Sequence, residues 1–217
     1  MLTLHCLVAT CIAAGVLSVL DGAQLLLPRS AAPVIDGTAT DNEWKAAWRS
    51  TQRDATLYLF HDGEDVYAAV KAPAFAITSV YIARGDELKI LHASAAIGDA
   101  IYRRDAAGAW RLQTKFAFTR YKNPADIVAR GKVFFDEHGW VSSHMRLGAP
   151  GDTEFRLQGR TLDGARVAVT YYDPDSRSVL LAYPAGLTGD IVAHEIQAGY
   201  TPDVLKIQPE SWVTLKR

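Results

Sequence analysis

The chain is poor in cysteine, in methionine and in net charge, and each shortage closes off a class of function. Only Cys6 and Cys11 supply thiols among its 217 residues, and both lie in one apolar stretch near the start. Everything after that stretch lacks a disulfide, a cysteine nucleophile or a thiolate metal site. With 23 Lys and Arg against 24 Asp and Glu, the formal charge is −1. No long-range field therefore draws the protein to nucleic acid or to an anionic membrane surface. Also missing are Gly-x-Ser-x-Gly, a phosphate-cradling glycine loop, His-Glu-x-x-His and Cys-x-x-Cys-His. Their absence removes the usual signatures of a serine hydrolase, a nucleotide site, a zinc protease and covalent haem. His138 with His144, and His194 with Glu195, have no zinc-ligand spacing. No repeat or low-complexity tract divides the chain.

Long apolar runs are scarce too. The charge-free run from Cys6 to Leu20 falls short of the roughly 20 residues that a spanning helix needs. It matches the core of an export signal, broken at Asp21-Gly22-Ala23. Residues 1–23 are thus read as a signal peptide, with a retained N-terminal anchor as the alternative, and the protein as periplasmic or secreted with no membrane span in the mature chain. Val8-Ala9-Thr10 is a poor lipobox, so Cys11 is taken as a small apolar residue of that run.

What remains is a succession of short alternating runs punctuated by Gly, Asp and Pro. Thr56–Phe60 and Val66–Val70 flank His61-Asp62-Gly63-Glu64-Asp65, the clearest hairpin in the chain. Further strands are predicted at Ser79–Ala83, Leu88–His92, Ala109–Phe118, Val141–Arg146, Thr153–Leu157, Arg166–Tyr172 and Val179–Tyr183. A count of roughly ten strands at close spacing predicts a sandwich or barrel. One segment departs from the pattern. Asn123-Pro124-Ala125-Asp126 supplies an N-cap, a first-turn proline and an acid, and Ile127, Val128, Phe134 and Phe135 recur near helical spacing up to Gly139. The expectation is an all-β, antiparallel β-sandwich of immunoglobulin-like or jelly-roll type with one short helical excursion, a single domain over residues 33–217.

The opening of that domain, Val34-Ile35-Asp36-Gly37 followed by Glu43-Trp44, resembles the family 9-like carbohydrate-binding modules and the related DOMON-like domains. The Asp-Gly-Glu-Asp turn before Val66-Tyr67 is similar to the hairpin that follows in that superfamily. The resemblance stops at Lys71. Without it, Gly37 frees the backbone after a first strand, and Trp44 and Tyr67 are expected to be core residues. The resemblance implies a β-sandwich and a non-catalytic binding role, with carbohydrate the favoured ligand and an envelope protein the other partner considered.

A sugar site needs aromatic faces for the apolar side of the ring and polar groups for its hydroxyls. Trp110 and Trp140 follow turns and are chosen as platforms, with Arg103, Asp105 and Arg111 as polar company. Trp48, Trp212, Tyr102, Tyr121, Tyr171, Tyr172 and Tyr200 complete the aromatic candidates. The superfamily also implies a rival, b-type haem held through methionine. Beyond the first residue only Met145 is available, and on a regular strand it points away from its neighbour His144. No cofactor, metal or catalytic residue is assigned. Asp173-Pro174-Asp175 and Asp62–Asp65 are read as turns rather than calcium loops. An envelope structural module with no small-molecule site is the third reading.

Overall fold

The computed structural model describes residues 23–73, 76–120, 124–144 and 152–217. The run carrying Cys6 and Cys11, Tyr121, Asn123 and Met145 lie outside the described residues.

Period-two alternation with β-branched and aromatic residues forms fourteen strands among the described residues. They are β1 Gln24–Leu26, β2 Trp48–Gln52, β3 Ala55–His61, β4 Asp65–Lys71, β5 Ile77–Arg84, β6 Glu87–Ala93 and β7 Ile97–Arg104. The others are β8 Trp110–Thr114, β9 Trp140–His144, β10 Thr153–Gln158, β11 Arg166–Asp173, β12 Ser178–Tyr183, β13 Val204–Leu205 and β14 Val213–Lys216. Helices α1 (Asp41–Trp44), α3 (Gly159–Leu162) and α4 (His194–Gln197) are single turns, while α2 (Pro124–His138) spans 15 residues.

Two sheets result. The larger has nine strands, in the order β1-β14-β11-β5-β6-β7-β8-β13 with β12 also on β11, and the smaller runs β2-β3-β4-β10-β9. Among the strand pairs of the described residues, β1–β14 alone is parallel. The fold is therefore an antiparallel β-sandwich with one helical excursion, α2. Its first strand, β1, lies upstream of residue 33, where the domain was expected to begin.

The hairpin reads as its sequence suggests. Leu57 pairs with Val70 and Leu59 with Ala68, and Asp62 Oδ1 accepts the N–H groups of Glu64 and Asp65, each at 2.8 Å. Gly63 takes φ 114° at the turn, a conformation that glycine adopts without a Cβ clash.

Three apolar layers hold the sheets. Leu57, Leu59, Val66 and Phe155 of the smaller sheet meet Val80, Leu91, Val167 and Val169 of the larger in the central core. Trp44, Phe60 and Tyr67 form a second cluster outside the smaller sheet. Tyr81, Tyr102, Trp110 and Trp212 form a third outside the larger, under Ile191, Ile196, Leu205 and Ile207 of the C-terminal segment. With layers packed on both faces, β4 and β5 are buried along almost their whole length, Thr78 and Ser79 included.

A buried carboxylate fixes the N-terminal segment. Glu154, on the outer face of β10 and fully buried, accepts the backbone N–H groups of Asp36 (3.0 Å) and Gly37 (2.8 Å) and the indole N–H of Trp44 (3.0 Å). The Asp-Gly and Trp of the opening motif are thus tied to one acceptor more than a hundred residues away. Asp152 adds a bond from the Ala39 N–H at 3.0 Å.

Candidate functional site

A cavity opens at the far end of β7. It has a volume of about 540 Å³ and lies between the turn joining β7 to β8 and the C-terminal segment that crosses the larger sheet. Asp105 builds the first wall. Its Oδ1 accepts the N–H groups of Ala107 and Ala109, both at 2.9 Å, and its Oδ2 pairs with Arg111 at 2.7 Å. The Arg111 bond, helped by those amides, holds the Asp105 carboxyl below the usual aspartate range. Ala107, Gly108 and Ala109, fixed in this way, face the cavity.

Trp110 is the pillar behind that wall. Its ring is 1% exposed, its Nε1–H donates to the Ile207 carbonyl at 3.3 Å, and the Arg104 guanidinium lies 5.5 Å from its centroid. Arg104 is braced further by Glu210 at 2.8 Å, so it enters the cavity with little rotational freedom. The opposite wall carries Thr188, Lys206, Gln208 and Ser211 beside Leu187 and Ile191.

The C-terminal segment is pinned by a buried polar knot. The Gln197 side chain, fully buried, accepts from the Thr170 hydroxyl at 2.8 Å and donates to the Tyr81 hydroxyl and to the Ile191 carbonyl. Tyr172 and His194 form another bond beneath the segment. All polar atoms of the Gln197 amide are satisfied, which fixes one position for the cavity's roof.

The structure brings some of the sequence-predicted site residues together and separates others. Trp110, Asp105 and Arg111 do come together, but as supports of the cavity wall. Arg103 faces away from the cavity, toward Asp86 and Glu87, because neighbouring strand residues point to opposite faces and Arg104 takes the inward one. Trp140 belongs to the central core on the other side of the larger sheet. Its indole donates to Asp99 at 3.0 Å, and Lys89 pairs with Asp99 at 2.7 Å. Burial raises the Asp99 carboxyl pKa, but the bonds from Lys89 and Trp140 outweigh it, so the net direction is downward.

With both rings 1% exposed, Trp110 and Trp140 offer no face to a sugar, which corrects their expected role as platforms. Trp44, Trp212, Tyr102, Tyr171 and Tyr172 are buried as well, and Trp48 is half-buried against Tyr183. Among the aromatic candidates Tyr200 is exposed, and its neighbour Gly199 lies near Phe118 and His92. Thr188, Lys206, Gln208 and Ser211 were missed, since they lie on irregular backbone with no period to mark them. Adjacent Arg103 and Arg104 could have been separated by strand parity had β7 been recognised.

The cavity is lined by no histidine or methionine, and Met145 lies outside the described residues. No group of three His, Cys, Asp or Glu placed to hold a metal occurs among the described residues. No helix among them is long and apolar enough to cross a membrane. Comparison with protein-family models, with curated proteins and with solved structures finds no match for this chain.

Proposed function

We propose that the protein is an exported, non-catalytic binding module that holds a carbohydrate in the cavity between the Asp105–Ala109 turn and the C-terminal segment. The lining of that cavity carries the reading. Arg104, Thr188, Lys206, Gln208 and Ser211 offer donors and acceptors for hydroxyls, Leu187 and Ile191 offer an apolar strip, and no carboxylate or imidazole lines it. This set suits hydrogen bonding to a polyol and supplies no acid–base pair for glycoside hydrolysis. A volume of about 540 Å³ lies within the range of small-ligand sites. The braced Arg104 and the bonded turn lower the ordering cost that a ligand would otherwise bear.

The test is backbone amide mapping. Neutral mono- and disaccharides added to the labelled domain are expected to shift the Gly108 and Gly189 amides saturably, and to leave Tyr200 unmoved. Shifts confined to Tyr200 and Phe118 would place the site elsewhere, and no saturable shift with any sugar would leave a structural envelope module as the better reading. An absorption spectrum of the same sample, grown with haem supplied, gives no Soret band on the carbohydrate reading.

A further inference from the structure

A second cavity, of about 430 Å³, lies at the end of the sandwich where β3 turns into β4 and where β14 finishes; it is lined by His61, Gly63, Asp163, Gly164, Lys216 and Arg217. Its charged groups are held in place. Arg29, beside the lining residues rather than among them, pairs with His61 across a parallel bridge, and its Nε donates to the Asp62 carbonyl, a neutral acceptor, at 3.1 Å. A Cβ on Gly63 would lie 3.0 Å from Arg29 Nη2, so glycine there lets the guanidinium fold over the turn. Arg217 Nη1 donates to the Glu64 carbonyl at 2.8 Å, and its Nη2 spans both Asp163 oxygens at 2.8 Å. The Asp62 carboxylate is already occupied by two amides and by the Tyr67 hydroxyl.

His61 stands out in this group. It is 8% exposed, and its Nδ1 is buried with no hydrogen-bond partner among the described residues. Nε2 is therefore the nitrogen that meets the cavity. Sealing an N–H without an acceptor is costlier than sealing a lone pair, so the proton of the neutral ring belongs on Nε2, as a donor aimed outward. Burial, then the positive fields of Arg217 and Arg29, push the imidazole pKa down against the pull of Asp62. The cations Arg29, Lys216 and Arg217 are balanced by Asp62, Glu64 and Asp163, so an anion arriving there would be held by local contacts, the Nε2–H donor and the neighbouring cationic side chains.

We infer that this cavity binds a small oxyanion, phosphate or sulfate or an ester of either, through the Nε2–H of His61 with Arg29, Lys216 and Arg217. The inference stands apart from the carbohydrate reading, because the two cavities share no residue. Long-range ¹H–¹⁵N spectra of the folded protein should show the His61 ring as the Nε2–H tautomer. Inorganic phosphate or sulfate, added against chloride at matched ionic strength, should shift that ring saturably and raise its pKa, with Arg29, Lys216, Arg217, Asp62, Glu64 and Asp163 the charges that set the baseline. A sulfated monosaccharide run in parallel distinguishes the free ion from an ester, since the source that shifts the ring at lower concentration is the better ligand. Arg29→Gln with Lys216→Gln, both at the exposed rim, should weaken binding about tenfold or more while amide spectra stay native. An Nδ1–H tautomer, no saturable shift with any of the three probes, or equal binding by the double variant would overturn the inference.

Discussion

Replacing Glu154 by glutamine should change the pH dependence of stability, and the structure sets both sign and size. The carboxyl accepts three N–H donors yet is fully buried. Burial outweighs the donors and raises its pKa from the ordinary 4.5 to about 7. A folded state that binds the proton more tightly than the unfolded chain is favoured at low pH. That contribution is fully present below pH 4.5 and is lost as pH climbs through about 7. Each pKa unit is worth about 1.4 kcal/mol, so the wild type should lose on the order of 3 kcal/mol across this window. Glutamine has no such titration. It keeps an oxygen for the Asp36 and Gly37 amides but turns an NH₂ toward the Trp44 indole N–H, at a cost of about 1–3 kcal/mol. Urea unfolding followed by tryptophan fluorescence at pH 5, 6, 7 and 8 should show the variant clearly weaker at pH 5 and close to the wild type at pH 8. The difference between the two curves removes the titration of other groups such as His61 and Asp152. A difference that stays constant across the range, or widens toward pH 8, would refute the account of Glu154.

Three further outcomes follow from packing. Trp110→Ala and Trp140→Ala should each lower stability by about 3–5 kcal/mol, visible as an earlier urea midpoint, because both rings are core; a platform tryptophan would leave the midpoint unchanged. Gln197→Leu takes the acceptor from the Thr170 hydroxyl, at about 1–3 kcal/mol, and leaves the Ile191 carbonyl with only the Tyr81 hydroxyl at 3.3 Å. It should also speed amide exchange across residues 187–199 more than elsewhere. Gly159→Ala would put a Cβ 2.2 Å from the Glu64 carbonyl oxygen, so it should lower the thermal midpoint by the equivalent of about 1–3 kcal/mol, whereas Gly164→Ala meets nothing within 4 Å and probes only the positive φ.

Those elements whose signal is local were legible in the sequence. The β3–β4 hairpin is announced by Asp62-Gly63 between alternating runs, and α2 by Pro124, Asp126 and the paired phenylalanines, of which Phe134 and Phe135 are indeed buried. Trp44 and Tyr67 lie in the core as expected. By contrast β7 carries Gly98 and Asp99 within it, residues that weaken a strand pattern, and its partners on both sides supply the pairing that its own sequence does not advertise. The short strands β1, β13 and β14 are likewise defined by their partners.

The cavity was hidden for a different reason. Its walls come from a tight turn and from a segment of single-turn helices that owes its place to Gln197, Trp110 and Trp212, contacts across long sequence separation. Choosing residues by closeness to a turn found the supports of the site, Asp105, Trp110 and Arg111, and missed the groups that line it. Choosing tryptophans as platforms failed because each outer sheet face is roofed by a terminal segment, which turns would-be surface rings into core.

The most direct test of the central claim is a glycan-array screen of the wild type beside Gln208→Ala, which trims one exposed wall of the cavity, and Tyr200→Ala, which removes an exposed aromatic outside the cavity lining. Capture of a glycan by the wild type and Tyr200→Ala, lost or sharply reduced in Gln208→Ala, is the predicted result. Capture by none of the three, or loss in Tyr200→Ala with Gln208→Ala unaffected, would contradict a carbohydrate site in this cavity.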